Sequence, residues 1–285
     1  MTRFVILGDL HYSTAYLNAQ LIAEREQFFD MLFTSVRKQN PDYVFAIGDV
    51  ADEGMEEELA GIKAAAARNG VEMIIVTGNH DLYQMNQKEW HTINGTDILR
   101  RIDSPEISFL LLETAKFEDG EDQGGYMPKE QLKWLATQLK EAQAKNLAIV
   151  VLGHHPLLET TYLSMLPGRY IANSEELQGV FDLVMRPAIY CNGHNHCHSL
   201  VKKDNWLYVQ TAAPLQTADY RLIEFTPQQI TVQTIDLEKE FPEVPALALK
   251  LAEALFWTPI PAFKGQSQDR EIILDITLTS IIQLN

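Results

Sequence analysis

Five short segments of the chain concentrate side chains that bind metals: Gly8-Asp9-Leu10-His11, Gly48-Asp49-Val50-Ala51-Asp52, Gly78-Asn79-His80-Asp81, Gly153-His154-His155-Pro156 and Gly193-His194-Asn195-His196-Cys197-His198. Seven of the eight histidines fall in them, all except His91. Imidazole and carboxylate donors without thiolates suit manganese, iron, zinc or cobalt. The donors exceed what one ion needs, which points to two ions sharing a bridging carboxylate. Ions ~3.5–4 Å apart clamp the attacking and leaving oxygens of a phosphoryl group, so phosphoester chemistry is the reaction such a set would serve. Taken singly, Asp9 and Asp49 read equally well as turn residues after a strand, and Asn79 as a turn former. Their company favours ligation.

The segments need elements to hold them together. Each follows a short apolar run rich in Val, Ile or Phe: Phe4 to Leu7, Tyr43 to Ile47, Val71 to Val76, Leu147 to Leu152 and Ala188 to Cys191, with a further run at Ile107 to Leu112. These read as buried strands. Between them, Leu21, Phe28, Phe29, Leu32 and Val36 recur at helical spacing, Gly54 to Asn69 is rich in Ala and Glu, and Pro128 opens a helix with Leu132, Leu135 and Leu139 on one face. The β-α-β pattern predicts an α/β protein with a largely parallel sheet covered by helices on both faces. Ligands bind at the carboxyl ends of such strands, so the five segments should converge on one edge.

From His198 onward the texture changes to partly alternating runs at Ser199 to Lys202, Trp206 to Thr211, Tyr220 to Phe225 and Ile230 to Ile235, which predict antiparallel strands. Beyond about Glu238 the chain carries four of its twelve prolines between Pro242 and Pro261, then a strand-like Glu271 to Leu278. We divide it into a domain over 1–237 and an extension over 238–285. The stretch Ala246 to Trp257 is apolar nearly all round, so the extension should bury itself against the domain or against a second subunit as a homo-oligomer contact.

Composition narrows the function classes. With 285 residues, 46% of them hydrophobic and 22% charged, the chain is in the ordinary globular range. A formal charge of −16 repels phosphate backbones and argues against duplex nucleic acid as a partner. Cys191 and Cys197 are too few for a disulfide framework or a four-thiolate zinc site. No apolar segment approaches the ~18 residues needed to cross a bilayer, and the chain opens on a strand instead of a signal segment. A cytoplasmic protein without a membrane partner is the expectation.

In this order the five segments resemble the pattern of the calcineurin-like metallophosphoesterase superfamily: D-x-H, G-D-x-x-D, G-N-H-D or G-N-H-E, a lone His, and G-H-x-H. The resemblance covers roughly residues 3 to 236 and implies a four-layer fold, two mixed β-sheets flanked by helices, with a C-terminal appendage. It implies that Asp9, His11, Asp49 and His196 hold one metal ion and that Asp49, Asn79, His154 and His194 hold the other, Asp49 being the bridge. It also implies attack by a metal-bridging hydroxide, with His80 as the general acid and Asp52 orienting its imidazole. His154 is preferred to His155 because the family's lone ligand stands two residues before the proline in G-H-x-P loops. His155 should pack or line the rim, His198 should begin the next strand or face the pocket mouth, and His91 and Cys197 should be structural. Asp81 should hold its loop by hydrogen bonds.

Departures from pattern sort the branches. Where protein Ser/Thr phosphatases of the superfamily have Gly, Arg-Gly and Arg beside the ligand blocks, this chain has Tyr12, Glu53-Gly54 and Thr77. Where purple acid phosphatases have a tyrosinate ligand, it has Val50, Ala51 and Asp52. Asp-Leu-His-Tyr at 9–12, the stretch 125–135 and the stretch 218–225 resemble the class III cyclic-nucleotide-phosphodiesterase-like branch. The implied activity is hydrolysis of small phosphomonoesters and phosphodiesters. The alternative is a nucleotide- or phosphate-binding regulator on the same fold that has lost catalysis. Such relatives lack one or more ligands, and here every expected position is filled.

Overall fold

The computed structural model describes residues 1–15, 17–116 and 122–276. The first part of the chain forms β1 (Thr2–Leu7), α1 (Ala19–Lys38), β2 (Tyr43–Ile47), α2 (Glu56–Arg68), β3 (Ile74–Val76), α3 (Gln87–Asn94), β4 (Arg100–Asp103) and β5 (Ile107–Leu111). Then come α4 (Lys129–Ala144), β6 (Ala148–Leu152), α5 (Ser174–Phe181), β7 (Ala188–Asn192), β8 (Ser199–Lys203), β9 (Trp206–Gln210) and α6 (Pro214–Thr217). The last elements are β10 (Asp219–Phe225), β11 (Gln229–Asp236), α7 (Val244–Ala254), α8 (Ser267–Arg270) and β12 (Glu271–Asp275). Thr277 and Leu278, which end the strand expected from sequence, lie outside the described residues.

The strands make two sheets instead of the single, mostly parallel one that the β-α-β pattern suggests. One has the order β12-β11-β10-β1-β2-β3 and the other β4-β5-β6-β7-β9-β8. Both are mixed: β1, β2 and β3 run parallel, as do β5, β6, β7 and β9, while β10, β11, β12, β4 and β8 pair antiparallel. The reason lies in where alternate side chains go. Along β1, Phe4 and Ile6 enter a core shared by the two sheets, with Phe45, Phe109, Val150 and Val209, whereas Val5 and Leu7 enter a second core under the helices. A strand buried on both faces reads as one apolar run whether its second face meets a helix or a sheet.

Each sheet therefore has helices on its outer face only, giving four layers. Residues of α1, α2 and α7 cover the first sheet, and residues of α4 and α5 cover the second. The helix α7 buries Val244, Leu247, Ala248, Leu251 and Ala252 against this same chain, packing on α1 and α6, and β12 pairs with β11 at the edge of the first sheet. No helix among the described residues is long and apolar enough to cross a membrane.

Candidate metal centre

The five segments leave the carboxyl ends of β1, β2 and β3 in one sheet and of β6 and β7 in the other, and meet at one end of the sandwich. Their turns are tight. Asp9, His11, Asp49, His194 and His196 all have left-handed backbone, with φ between +41° and +67°. A non-glycine residue in this region costs of order 1–3 kcal/mol, and such residues gather at functional sites. Glycines make the close approach feasible: a Cβ on Gly78 would lie 2.1 Å from Asp49 Oδ1, and one on Gly193 would lie 2.5 Å from Asp9 Oδ2.

Ligand atoms of Asp9, His11, Asp49 and His196 all lie within 4.8 Å of one another. The two Nε2 atoms of His11 and His196 are 3.2 Å apart, and His196 Nε2 is 3.6 Å from Asp9 Oδ1. A second gathering adjoins it, with His154 Nε2 at 3.1 Å from both Asp49 Oδ2 and Asn79 Oδ1. His194 joins through its ring, whose centroid is 5.1 Å from that of His154. All seven of these residues are buried except His196, whose side chain keeps 18% of its exposure.

The surroundings fix which nitrogen of each ring carries the proton. His154 Nδ1 donates to the Ile47 carbonyl at 2.9 Å, His194 Nε2 to the Gly168 carbonyl at 2.9 Å, and His11 Nδ1 to Asp52 Oδ1 at 3.0 Å. An oxygen that only accepts requires N–H on the nitrogen facing it, which leaves the other nitrogen with a free lone pair. Metal-binding histidines characteristically have this arrangement. Asp9 Oδ2 is buried without a hydrogen-bond partner among the described residues, a costly condition for a carboxylate unless a cation faces it. Burial raises the Asp9 carboxyl pKa, and the charge of Asp49 adds to this against the opposing pull of His154. At Asp49 burial is outweighed by His154, His80 and His11, which hold its carboxyl well below the usual range. Burial opposes protonation of His154 too, but its bond to Asp49 and the nearby carboxylates raise it to about 9. A metal ion facing Nε2 would displace that proton and supply the positive charge that this carboxylate cluster requires. The donor set and the unpaired oxygen fit metal ions.

Asp52 differs from expectation in which of its atoms does the work. Its carboxylate takes His11, and the ring of His80 instead donates from Nδ1 to the Asp52 backbone carbonyl at 2.6 Å. The reason is reach: the buried His11 ring needs an acceptor beyond the cluster, and Asp52 Oδ1 is the one that meets it. The His80 ring also lies 4.5 Å from that of Tyr83, and burial lowers its pKa against the charge of Asp49. Asp81 accepts from Ala51 N and Gly78 N and ties two of the loops together. His155 is fully buried, bonded to Thr114 Oγ1 and the Gln123 carbonyl, so it packs and does not line a rim. His198 precedes β8 by one residue and is buried against Asp219, away from the pocket mouth. His91 contacts Thr96, and Cys197 is buried near Gln210.

A cleft of about 400 Å³ opens over the cluster, with Asp49, Asn79, His80, His194 and His196 at its base. Sequence reasoning missed two of its walls. Arg169 stands on the loop after β6, its guanidinium without an ion pair among the described residues, and Trp257 comes from the segment after α7. Nothing local marks either residue, because each reaches the site only through tertiary packing. A larger cleft of about 520 Å³, bounded by Arg37, Asn40 and Ile74 at the other end of the first sheet, contains no histidine.

A two-sheet sandwich with clustered His, Asp and Asn ligands at the carboxyl ends of its parallel strands defines a metallophosphoesterase. The family model for calcineurin-like phosphoesterase matches residues 2–198, and the chain belongs to this family. It is therefore a phosphoester hydrolase, of a family that depends on a dinuclear metal centre. Among solved structures the fold is similar to a dimetal phosphatase from Danio rerio, with a TM-score of 0.71 and 14% identity over 83% of this chain and 96% of that one. It is also similar to the purple acid phosphatase PPD1 from yellow lupin seeds (TM-score 0.56, 15% identity), covering 83% of this chain and 52% of that one. GAP50, the anchor in the inner membrane complex of Plasmodium, shares the fold with a TM-score of 0.55 and 12% identity, over 92% of this chain and 98% of that one. At these identities the likeness is one of fold alone. No curated protein matches the chain in sequence.

Proposed function

We propose that the protein hydrolyses small phosphomonoesters and phosphodiesters, cyclic nucleotides among them, at two metal ions. Asp9, His11, Asp49 and His196 would hold one ion and Asp49, Asn79, His154 and His194 the other. When bound, such a pair lowers the pKa of water and neutralises charge on a phosphoryl group. The residues around it do the rest. Ile47, Gly168 and Asp52 hold the imidazoles in the tautomers that leave a lone pair for the ions. His80, tied through Nδ1 to the Asp52 carbonyl, keeps Nε2 for a ligand in the cleft that it lines, and there delivers a proton to the leaving oxygen.

The observation that carries this reading is the buried Asp9 Oδ2, without a hydrogen-bond partner among the described residues, beside the gathered ligand atoms of His11, Asp49 and His196. Elemental analysis of protein purified without chelator should find about two transition-metal ions per chain, and the loaded protein should hydrolyse bis-p-nitrophenyl phosphate. His80→Ala should keep both ions and lose roughly 10²–10⁴-fold in turnover of a nucleotide ester, whose alkoxide needs the proton, and much less on the nitrophenyl ester. One ion per chain after reconstitution with manganese would break the dinuclear reading. No turnover with any divalent ion would leave the binding-regulator reading standing.

A further inference from the structure

All seven candidate ligands come before Cys197 in the chain, yet one wall of the cleft above them is built from Trp257, Thr258, Ile260 and Phe263. We infer that this wall receives the organic group of the ester, so that Trp257 is a specificity-determining residue and the favoured substrates are esters of apolar, preferably aromatic, alcohols. The inference rests on the reading of the site as a phosphoesterase centre.

The wall is shaped by the end of α7. Trp257 N donates to the Ala252 carbonyl at 2.9 Å and Phe256 N to the Glu253 carbonyl at 3.0 Å, around Phe256 at φ +60°. This is a Schellman turn with phenylalanine where glycine is usual. It turns the chain so that the Trp257 ring lies 4.6 Å from His11 and 4.7 Å from His196, at the mouth of the metal cluster. Phe263 is held there by its carbonyl, which accepts from His198 N at 2.8 Å. Behind it, Arg270 Nη1 bonds Asp219 Oδ2 and the Lys264 carbonyl, while Asp219 Oδ1 bonds His198. The fully buried Arg221 donates to the carbonyls of Asp269 and Arg270. The segment is thus fastened to the residues that follow the G-H-x-H block, and forms a fixed surface.

Apart from Thr258 its chemistry is apolar. Ile260 keeps 43% of its exposure beside the cleft, and Leu163 lines the same space. Among the described residues that line the cleft, Asp49 is the sole carboxylate and Arg169 the sole lysine or arginine. A polar or charged alcohol portion would find few partners on Trp257, Ile260 and Phe263, whereas an aromatic one would cover surface that water now touches.

The test uses the full chain loaded with manganese and two esters whose alcohols are of similar acidity, benzyl phosphate and 2-hydroxyethyl phosphate, with their phosphonate analogues as non-hydrolysable ligands. Benzyl phosphate should be preferred at least tenfold in kcat/KM. Trp257→Ala should cut that preference to about threefold or less, mainly through KM, with metal content unchanged, and Trp257→Phe should retain most of it. If Trp257→Ala does not fold, Phe263→Ala on the same wall should show the same loss of preference. Equal kcat/KM for the two esters in the native chain, equal loss on both in the variant, or loss of metal from the variant would overturn the inference, the last two showing that Trp257 merely props His11 and His196. A native chain inactive on every ester would instead defeat the phosphoesterase reading. Calorimetric binding of the phosphonates would then decide the wall by itself, with a benzyl preference that Trp257→Ala removes supporting it and equal binding overturning it.

Discussion

Gly78 lies where the loops after β2 and β3 touch, and replacing it with alanine is a stringent test of how closely the centre is built. The added Cβ would stand 2.1 Å from Asp49 Oδ1, 2.3 Å from Asp49 N and 2.8 Å from its Cγ, whereas ordinary contact begins at 3.4 Å. Rotating the Asp49 side chain relieves the first overlap and leaves the second, because the peptide nitrogen cannot rotate away. One of the two loops must therefore shift by about an ångström. Metal sites tolerate about 0.2 Å in ligand distance, and a displacement of ~1 Å at a reacting centre costs on the order of 10²-fold. Suppose affinity falls about 100-fold. At manganese equal to 100 times the native Kd, the native chain gains about 2.7 kcal/mol of stability from the metal, and the variant about 0.4 kcal/mol. For a chain of this size the native gain is a rise in Tm of roughly 5–10 °C. Thermal melts with and without manganese, together with competition titration against a chelating dye, would measure both quantities. Gly179 in α5 has open space where its Cβ would go, so Gly179→Ala should stabilise the fold by about 0.5–1 kcal/mol and leave the manganese response untouched. A Gly78→Ala chain with the native manganese-dependent shift and native turnover would refute this reasoning.

Asp52→Asn should act on metal affinity, since it is the Asp52 carboxylate that holds His11. A 10–100-fold weaker metal site, with the His80 contact kept because it runs to the Asp52 backbone, is the expected result in dye competition. Arg169→Met removes the cleft's guanidinium and should raise KM about tenfold or more for phosphomonoesters, and less for singly charged diesters, in steady-state kinetics. Phe256→Gly relieves the left-handed strain at the end of α7 and should raise stability by about 0.5–1 kcal/mol in denaturant melts while leaving ester preference as it was.

The candidate ligands were readable in the sequence because the turns that present them are local: a strand, a glycine and one to three donors. The fold was readable only in part. Buried strands appear as apolar runs, but Phe4 and Val5 are equally apolar although they face different layers, so the division into two sheets leaves no mark on β1. Short polar elements also escaped. The helix α3 is announced by the capping pair Asn86 and Glu89, and β4 is an Arg-Arg-Ile-Asp edge strand whose charges suit a sheet border and mask its periodicity. Trp257 was visible as the end of an apolar stretch that needed covering. That this stretch would in turn cover the site depends on the turn after α7 and on the Arg270–Asp219 contact, both products of tertiary structure.

The place of β1 in its sheet has a consequence for how the chain must be made. β1 is paired on one side with β2, which is complete by Ile47, and on the other with β10, which begins only at Asp219. At ~5–20 residues per second, a ribosome leaves the second edge of β1 without its partner for roughly 10–40 s. During that wait Phe4 and Ile6, destined for the space between the sheets, and an unpaired row of backbone donors and acceptors face whatever is nearby. Slow translation or a truncated message would prolong the wait. Nascent chains halted before β10 should therefore be the species that chaperones capture and that aggregates recruit, and β1 the segment through which they do so.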